Sequence, residues 1–360
     1  MKDFENFLTR YGMHLGVMAA FIIVCSCVFS AYLLVNIFQA SISQPVPTLV
    51  FPTIESDDAT STPTPAAFDT TPIPTAPDAP PTPAPASAVP TGKIAFTCQV
   101  YKLSARNQIC VINPDGTGEK RLTTADEANH SYPSFDPAGE FVYFSSNMDG
   151  GYDIYRTDLD SNIEPIVRAE SDLYAPAVSP DNTTIMFTAD DGDNQTIWLA
   201  DIDGANQRPL VTGVADAWDP VWSPTGDAVL FASDHDGSIQ LYVVGLDGRE
   251  RRQVTEFDNL RGRNDWSPDG RWMATYQGES WMREIILFDT NGDNRVQLTN
   301  GGNNLAPSFS PDGAWVAFTS YLPNYREIHG CEIYIMRVDG SELTRLTVND
   351  YCDWQPRWGK

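Results

Sequence analysis

From residue 93 onward, apolar and polar residues alternate in short runs, and the runs recur. Phe141-Val142-Tyr143-Phe144, Thr184-Ile185-Met186-Phe187, Ala228-Val229-Leu230-Phe231, Arg271-Trp272-Met273-Ala274 and Ala314-Trp315-Val316-Ala317-Phe318 each follow a turn of one kind. Those turns are Asp136-Pro137-Ala138-Gly139, Ser179-Pro180-Asp181-Asn182, Ser223-Pro224-Thr225-Gly226, Ser267-Pro268-Asp269-Gly270 and Ser310-Pro311-Asp312-Gly313, spaced 43, 44, 44 and 43 residues apart. Pro and Gly punctuate hairpins, and a period of two buries alternate residues on a pleated sheet, so the pattern predicts strands separated by tight turns. A further strand follows in each unit, as in Asp153-Ile154-Tyr155, Thr196-Ile197-Trp198, Gln240-Leu241-Tyr242, Glu284-Ile285-Ile286 and Glu332-Ile333-Tyr334. A short last one closes the unit, as in Gln297-Leu298-Thr299 and Arg345-Leu346-Thr347.

Four strands in about 44 residues is the size of a β-propeller blade. The ends of the repeat give the blade count. Ile94-Ala95-Phe96, Gln108-Ile109-Cys110-Val111 and Arg121-Leu122-Thr123 match the second, third and fourth strands of a unit that lacks its first. Trp354-Gln355-Pro356-Arg357-Trp358 supplies a first strand that lacks the other three. The fold expected is therefore all-β: a six-bladed propeller over residues 91–360, built of four-stranded blades and closed by a C-terminal strand that covers an otherwise open sheet edge.

The Pro-x-Trp-Ser-Pro-Asp-Gly turn, the following apolar strand, the Ile-Tyr strand, the Asp-Gly turn and the Leu-Thr ending together resemble the TolB-type, WD-repeat-like propeller repeat. The resemblance covers residues 91–360 in six in-register copies. It implies a non-catalytic extracytoplasmic scaffold that binds another molecule, commonly a protein. The same repeat is similar to the propellers that precede prolyl-peptidase hydrolase domains. This sequence departs from TolB ahead of the propeller, where an apolar run and a proline-rich stretch stand in place of a small mixed domain. TolB's own role at the outer membrane is therefore not transferred.

The 24 residues of 15–38 carry no formal charge, and about 20 apolar residues in a helix already cross a hydrocarbon core of roughly 30 Å. The run predicts a transmembrane signal-anchor, longer than the apolar stretch of a cleaved signal peptide. Residues 1–14 form a short tail whose Lys2 and Arg10 favour a cytoplasmic N-terminus. Of the 27 prolines, 13 precede residue 91. Residues 39–90 read as a disordered Pro/Thr-rich spacer in extended polyproline II, with a reach on the order of 100 Å at about 3.1 Å per residue. The expected protein is a single-pass membrane protein with its propeller at the cell surface or in the periplasm.

The formal charge is −25; only 21 basic residues stand against 41 acidic ones after residue 90. So acidic a surface excludes nucleic acid, whose phosphates require a positive face. Four cysteines fall in the propeller and allow three pairings. Their positions favour Cys98 with Cys110 across one hairpin, and Cys331 with Cys352 on loops of one face. No GxSxG nucleophile elbow occurs, which argues against a prolyl-peptidase-type hydrolase. His130, His235 and His329 are expected on loops of one face, a weak basis for a metal-dependent sugar-lyase alternative. Asp190-Asp191-Gly192-Asp193 and Asp289-Thr290-Asn291-Gly292-Asp293 lack the full calcium-loop pattern and read as hairpin turns. No cofactor is expected.

In a propeller, the loops entering each blade's first strand surround the mouth of the central channel. Aromatic residues and Arg on those loops have the chemistry of binding hot spots. Tyr132, Tyr174, Trp218, Arg263 and Trp354 are therefore expected to line a face for an envelope protein or peptide segment, with a polysaccharide as the alternative ligand. The competing use of any one of these rings is packing between blades.

Overall fold

A computed structural model of the chain describes residues 89–101, 104–124, 127–213, 216–249, 251–321 and 330–360. The apolar run, the proline-rich stretch and His329 lie outside the described residues. Among the described residues no helix is long and apolar enough to cross a membrane.

The described chain forms six antiparallel sheets of four strands. One comprises β1 (Lys93–Tyr101), β2 (Ser104–Ile112) and β3 (Lys120–Arg121). The next holds β4 (His130–Phe135), β5 (Phe141–Ser146), β6 (Asp153–Asp158) and β7 (Ile163–Val167), followed by β8 (Asp172–Val178), β9 (Thr184–Asp190), β10 (Gln195–Asp201) and β11 (Arg208–Val211). Then come β12 (Ala217–Trp222), β13 (Ala228–Ser233), β14 (Gln240–Gly245) and β15 (Arg251–Gln253), and β16 (Asp265–Trp266), β17 (Trp272–Gln277), β18 (Glu284–Asp289) and β19 (Val296–Gln297). The last full blade is β20 (Asn304–Phe309), β21 (Trp315–Ser320), β22 (Glu332–Arg337) and β23 (Thr344–Arg345). Strand β24 (Asp353–Gly359) returns to the first sheet, giving the order β24-β1-β2-β3. The six-bladed ring and its closure by the last strand are as the repeat predicts.

Apolar side chains fill the spaces between successive blades. Phe144 and Tyr155 meet Ile109 and Leu122 across one boundary, and Phe231 and Val244 meet Ile197 and Leu199 across another. Trp358, Phe96 and Ile94 seal the closing blade against Trp315 and Ile335. The turn chemistry explains the recurring Ser-Pro-Asp-Gly. The seryl oxygen of Ser267 accepts the Trp272 N–H at 2.9 Å and its hydroxyl donates to Asp269 at 2.6 Å, and Ser310 does the same with Trp315 and Asp312. The fourth position, at Gly139, Gly226, Gly270 and Gly313, has φ between 71° and 77°, the left-handed region that glycine enters without steric cost.

The disulfides Cys98–Cys110 and Cys331–Cys352 are both present. The first joins β1 to β2; the second ties the segment before β22 to the residue preceding β24.

Candidate functional site

The inner strands β4, β8, β12, β20 and β24 each slip register against their neighbours at one point. A bulge of this kind bends a strand and re-aims a side chain. At the slip stands a residue with φ of 50–56°: Tyr132, Ala175, Asp219, Ala306 and Gln355, with Arg263 in the equivalent place before β16. Five of the six precede a proline. A non-glycine residue there is strained by about 1–3 kcal/mol, and the repetition at every blade makes the strain architectural.

Polar bulge residues contact one another across the ring. The Tyr132 N–H donates to Gln355 Oε1 at 3.0 Å, and Thr97 Oγ1 donates to the same oxygen at 3.0 Å. The guanidinium of Arg263 lies 5.2 Å from the centroid of the Tyr132 ring and 3.8 Å from the Asp219 carboxylate. Burial and Asp219 push the Tyr132 phenol up to about 12. Tyr276 also rises to about 12 for the same reasons. Both rings stay neutral at physiological pH, presenting a polar tip without charge.

On the side of the loops entering the inner strands, a pocket of about 340 Å³ is lined by Tyr132, Tyr174, Thr188, Asp190, Trp218 and Asp219, among others. The Tyr132 and Tyr174 rings are 5.9 Å apart, and Tyr152 continues the row 5.0 Å beyond Tyr174. Burial, then Asp172, raises the Tyr174 phenol. Thr188 Oγ1 is buried without a hydrogen-bond partner among the described residues. Trp218 is half-buried; its other edge packs on the core between two blades. It also lies against Gly262, where a Cβ would collide with the indole nitrogen.

The structure thus brings Tyr132, Tyr174 and Trp218 to one pocket. Arg263 lies deeper, 5 % exposed, and lines the channel on the far side of the ring. Trp354 pairs with Thr97 in the closing sheet and is absent from the lining of this pocket. Tyr152 and Asp190 were not singled out by sequence. Asp190 belongs to a stretch that reads as a turn, and it does accept the Gly192 N–H at 2.9 Å, which hides its second position at the pocket.

Other expectations are corrected. His130 is not on a solvated loop: it opens β4, fully buried, edge-on to Phe144. His235 is exposed on a turn. The two do not form a metal face, and among the described residues no group of three His, Cys, Asp or Glu side chains could hold a metal ion.

Residues 161–329 match the TolB beta propeller domain. TolB from Acinetobacter baumannii superposes with a TM-score of 0.66 at 24% identity, covering 74% of this chain and 66% of that one. A putative TolB from Agrobacterium tumefaciens gives 0.59 at 18% identity, over 76% of this chain and all of that one. A puromycin-hydrolyzing peptidase of Mycobacterium tuberculosis gives 0.52 at 15% identity, with 70% and 44% covered. An uncharacterized protein of Agrobacterium fabrum is 38% identical over 93 residues, which are 25% of this chain and 30% of that protein.

Proposed function

We propose that this chain, whose propeller is of the TolB type, is a non-catalytic extracytoplasmic scaffold that binds a protein or peptide segment at the mouth of its channel. The supporting observation is the convergence of Tyr132, Tyr174 and Trp218 on one pocket floored by the bulge ring. Aromatic rings held by neighbouring blades offer large contact area at small entropic cost, as binding hot spots do. Asp190 and Asp219 beside the rings favour a segment carrying a basic side chain. In this reading residues 15–38 anchor the chain with residues 1–14 in the cytoplasm, and residues 39–90 space the propeller from the membrane.

The test is a pull-down from envelope extract with the full chain and with a Tyr174→Ala, Trp218→Ala double variant of verified melting temperature. The expected result is a protein recovered by the parent and lost, about tenfold or more, by the variant. Equal recovery by both, or recovery of nothing by either, would reject the reading.

A further inference from the structure

The bulge ring has a second side. There the channel opens between the five Ser-Pro-type turns as a cavity of about 400 Å³, walled by Pro180, Pro224, Pro268, Trp222, Phe309 and Trp358 among others. At its inner end stand two arginines. Arg357 donates through Nη1 to the Asn264 carbonyl at 3.0 Å and lies 3.3 Å from Asp265, whose other oxygen takes the Phe309 N–H at 2.8 Å. Arg263 is far less satisfied. Its Nη2 is 3.4 Å from the Gln355 carbonyl, its Nη1 is 3.8 Å from Asp219, and its Nε has no hydrogen-bond partner among the described residues. The other lining carboxylate, Asp136, accepts the Glu140 and Phe141 N–H groups at 2.8 Å and is committed to its turn.

A guanidinium with five fixed donors, taken out of water and left with only long contacts, is expensive to hold. Burial first, then Arg357, lowers Arg263 to about 10, so it remains a cation at neutral pH. In a molecule of formal charge −25, the lumen lining carries Arg263, Arg357 and Lys360 against Asp136 and Asp265, and both of those acids are already engaged. The donors of Arg263 that these acids leave unmet are what an entering anion would satisfy. Planar forks of N–H donors match carboxylate oxygens in pairs, and apolar walls with a few placed polar groups are the usual make-up of a small-molecule site of this size.

We propose that the channel lumen binds a small carboxylate with a ring or other apolar body, its anionic head on Arg263 and Arg357 and its body against the proline and aromatic wall. The site lies across the bulge ring from the mouth pocket and does not depend on the scaffold reading. Its entrance is the face of the Ser-Pro-type turns.

The test is calorimetric titration of the full chain with benzoate and with its neutral counterpart benzyl alcohol. Saturable benzoate binding at one site, with benzyl alcohol bound at least about tenfold more weakly, is expected from charge-assisted recognition. Arg263→Gln and Arg357→Gln should each weaken benzoate by about tenfold or more, and Arg263→Lys by less, since it keeps the charge and loses the fork. Equal affinity for the acid and the alcohol, no saturation below about 10 mM, or unchanged affinity in a folded Arg263→Gln variant would overturn the proposal. If that variant does not fold, the acid–alcohol comparison in the parent decides by itself.

Discussion

Burial pushes the carboxyl of Asp353 up to about 7, with the hydrogen bond from Asn349 opposing the rise and Glu332 adding to it. An unfolded aspartate titrates near 3.9, so between about pH 4 and pH 7 the folded state holds the proton more tightly than the unfolded state does. The group's contribution to stability therefore declines as pH rises through that window and is flat above it. Asp353→Asn mimics the protonated form and can still accept the Asn349 side-chain N–H, now made at 2.8 Å. The variant should melt higher than the parent at pH 8, by an amount bounded at about 4 kcal/mol, and the two should coincide near pH 4. Identical melting at pH 8 would show that folding does not raise the Asp353 carboxyl above its ordinary range. At the candidate site, individual residues were legible only by type. Tyr132, Tyr174 and Trp218 stand out in sequence as rings on channel-side segments, whereas Arg263 has the same address along the chain but is buried and lines the lumen instead of the mouth pocket.

The Leu-Thr ending is a mark of the repeat in sequence, and its cause is visible only across strands. The Ile109 N–H donates to Thr123 Oγ1 at 2.9 Å, and that hydroxyl donates to Gln108 at 2.7 Å. The same arrangement joins Leu241, Thr255 and Gln240, and with a glutamate it joins Ile285, Thr299 and Glu284, and Ile333, Thr347 and Glu332. One hydroxyl thus satisfies a strand amide beyond the end of its short partner strand and a buried side chain at once. Thr255→Val removes the hydroxyl at nearly constant volume and strands the Leu241 amide, while Gln240 Oε1 loses one of its two donors and keeps the Phe257 N–H at 3.0 Å. A loss of about 1–3 kcal/mol in urea unfolding is expected, and a loss within error of zero would rule the bridge out as a stabilising element. Strands and turns were legible because Pro, Gly and alternation act locally. The bulges were not: proline marks their place at five blades, but nothing in the sequence of one strand states that its neighbour slips register beside it.

At the scale of the whole ring, β24 is, among the described strands, the one inner strand contributed from the far end of the repeat. It pairs with β1 from Lys93↔Gly359 to Cys98↔Asp353, and Trp358 Nε1 donates to the Thr91 carbonyl at 2.8 Å. Removing residues 351–360 deletes this strand together with Cys352 and Trp358, and exposes the β1 edge along with the Trp315, Ile335 and Phe96 side chains that Trp358 packs against. The truncated chain should lose the single cooperative melting transition and be cut by protease within the first blade. A truncated form as resistant as the parent would show that the ring does not need its clasp.

The clasp also sets a schedule. Strand β1 is made early and cannot receive its inner neighbour until Asp353–Gly359 emerges. At about 5–20 residues per second that interval is roughly 13–50 s. Throughout it, the half-built ring carries an unpaired strand beside an uncovered apolar boundary, the combination most prone to mispair with other chains. Slowing elongation therefore lengthens the exposure without altering a single contact of the finished protein, and the yield of propeller should depend on synthesis rate more steeply than its stability would suggest.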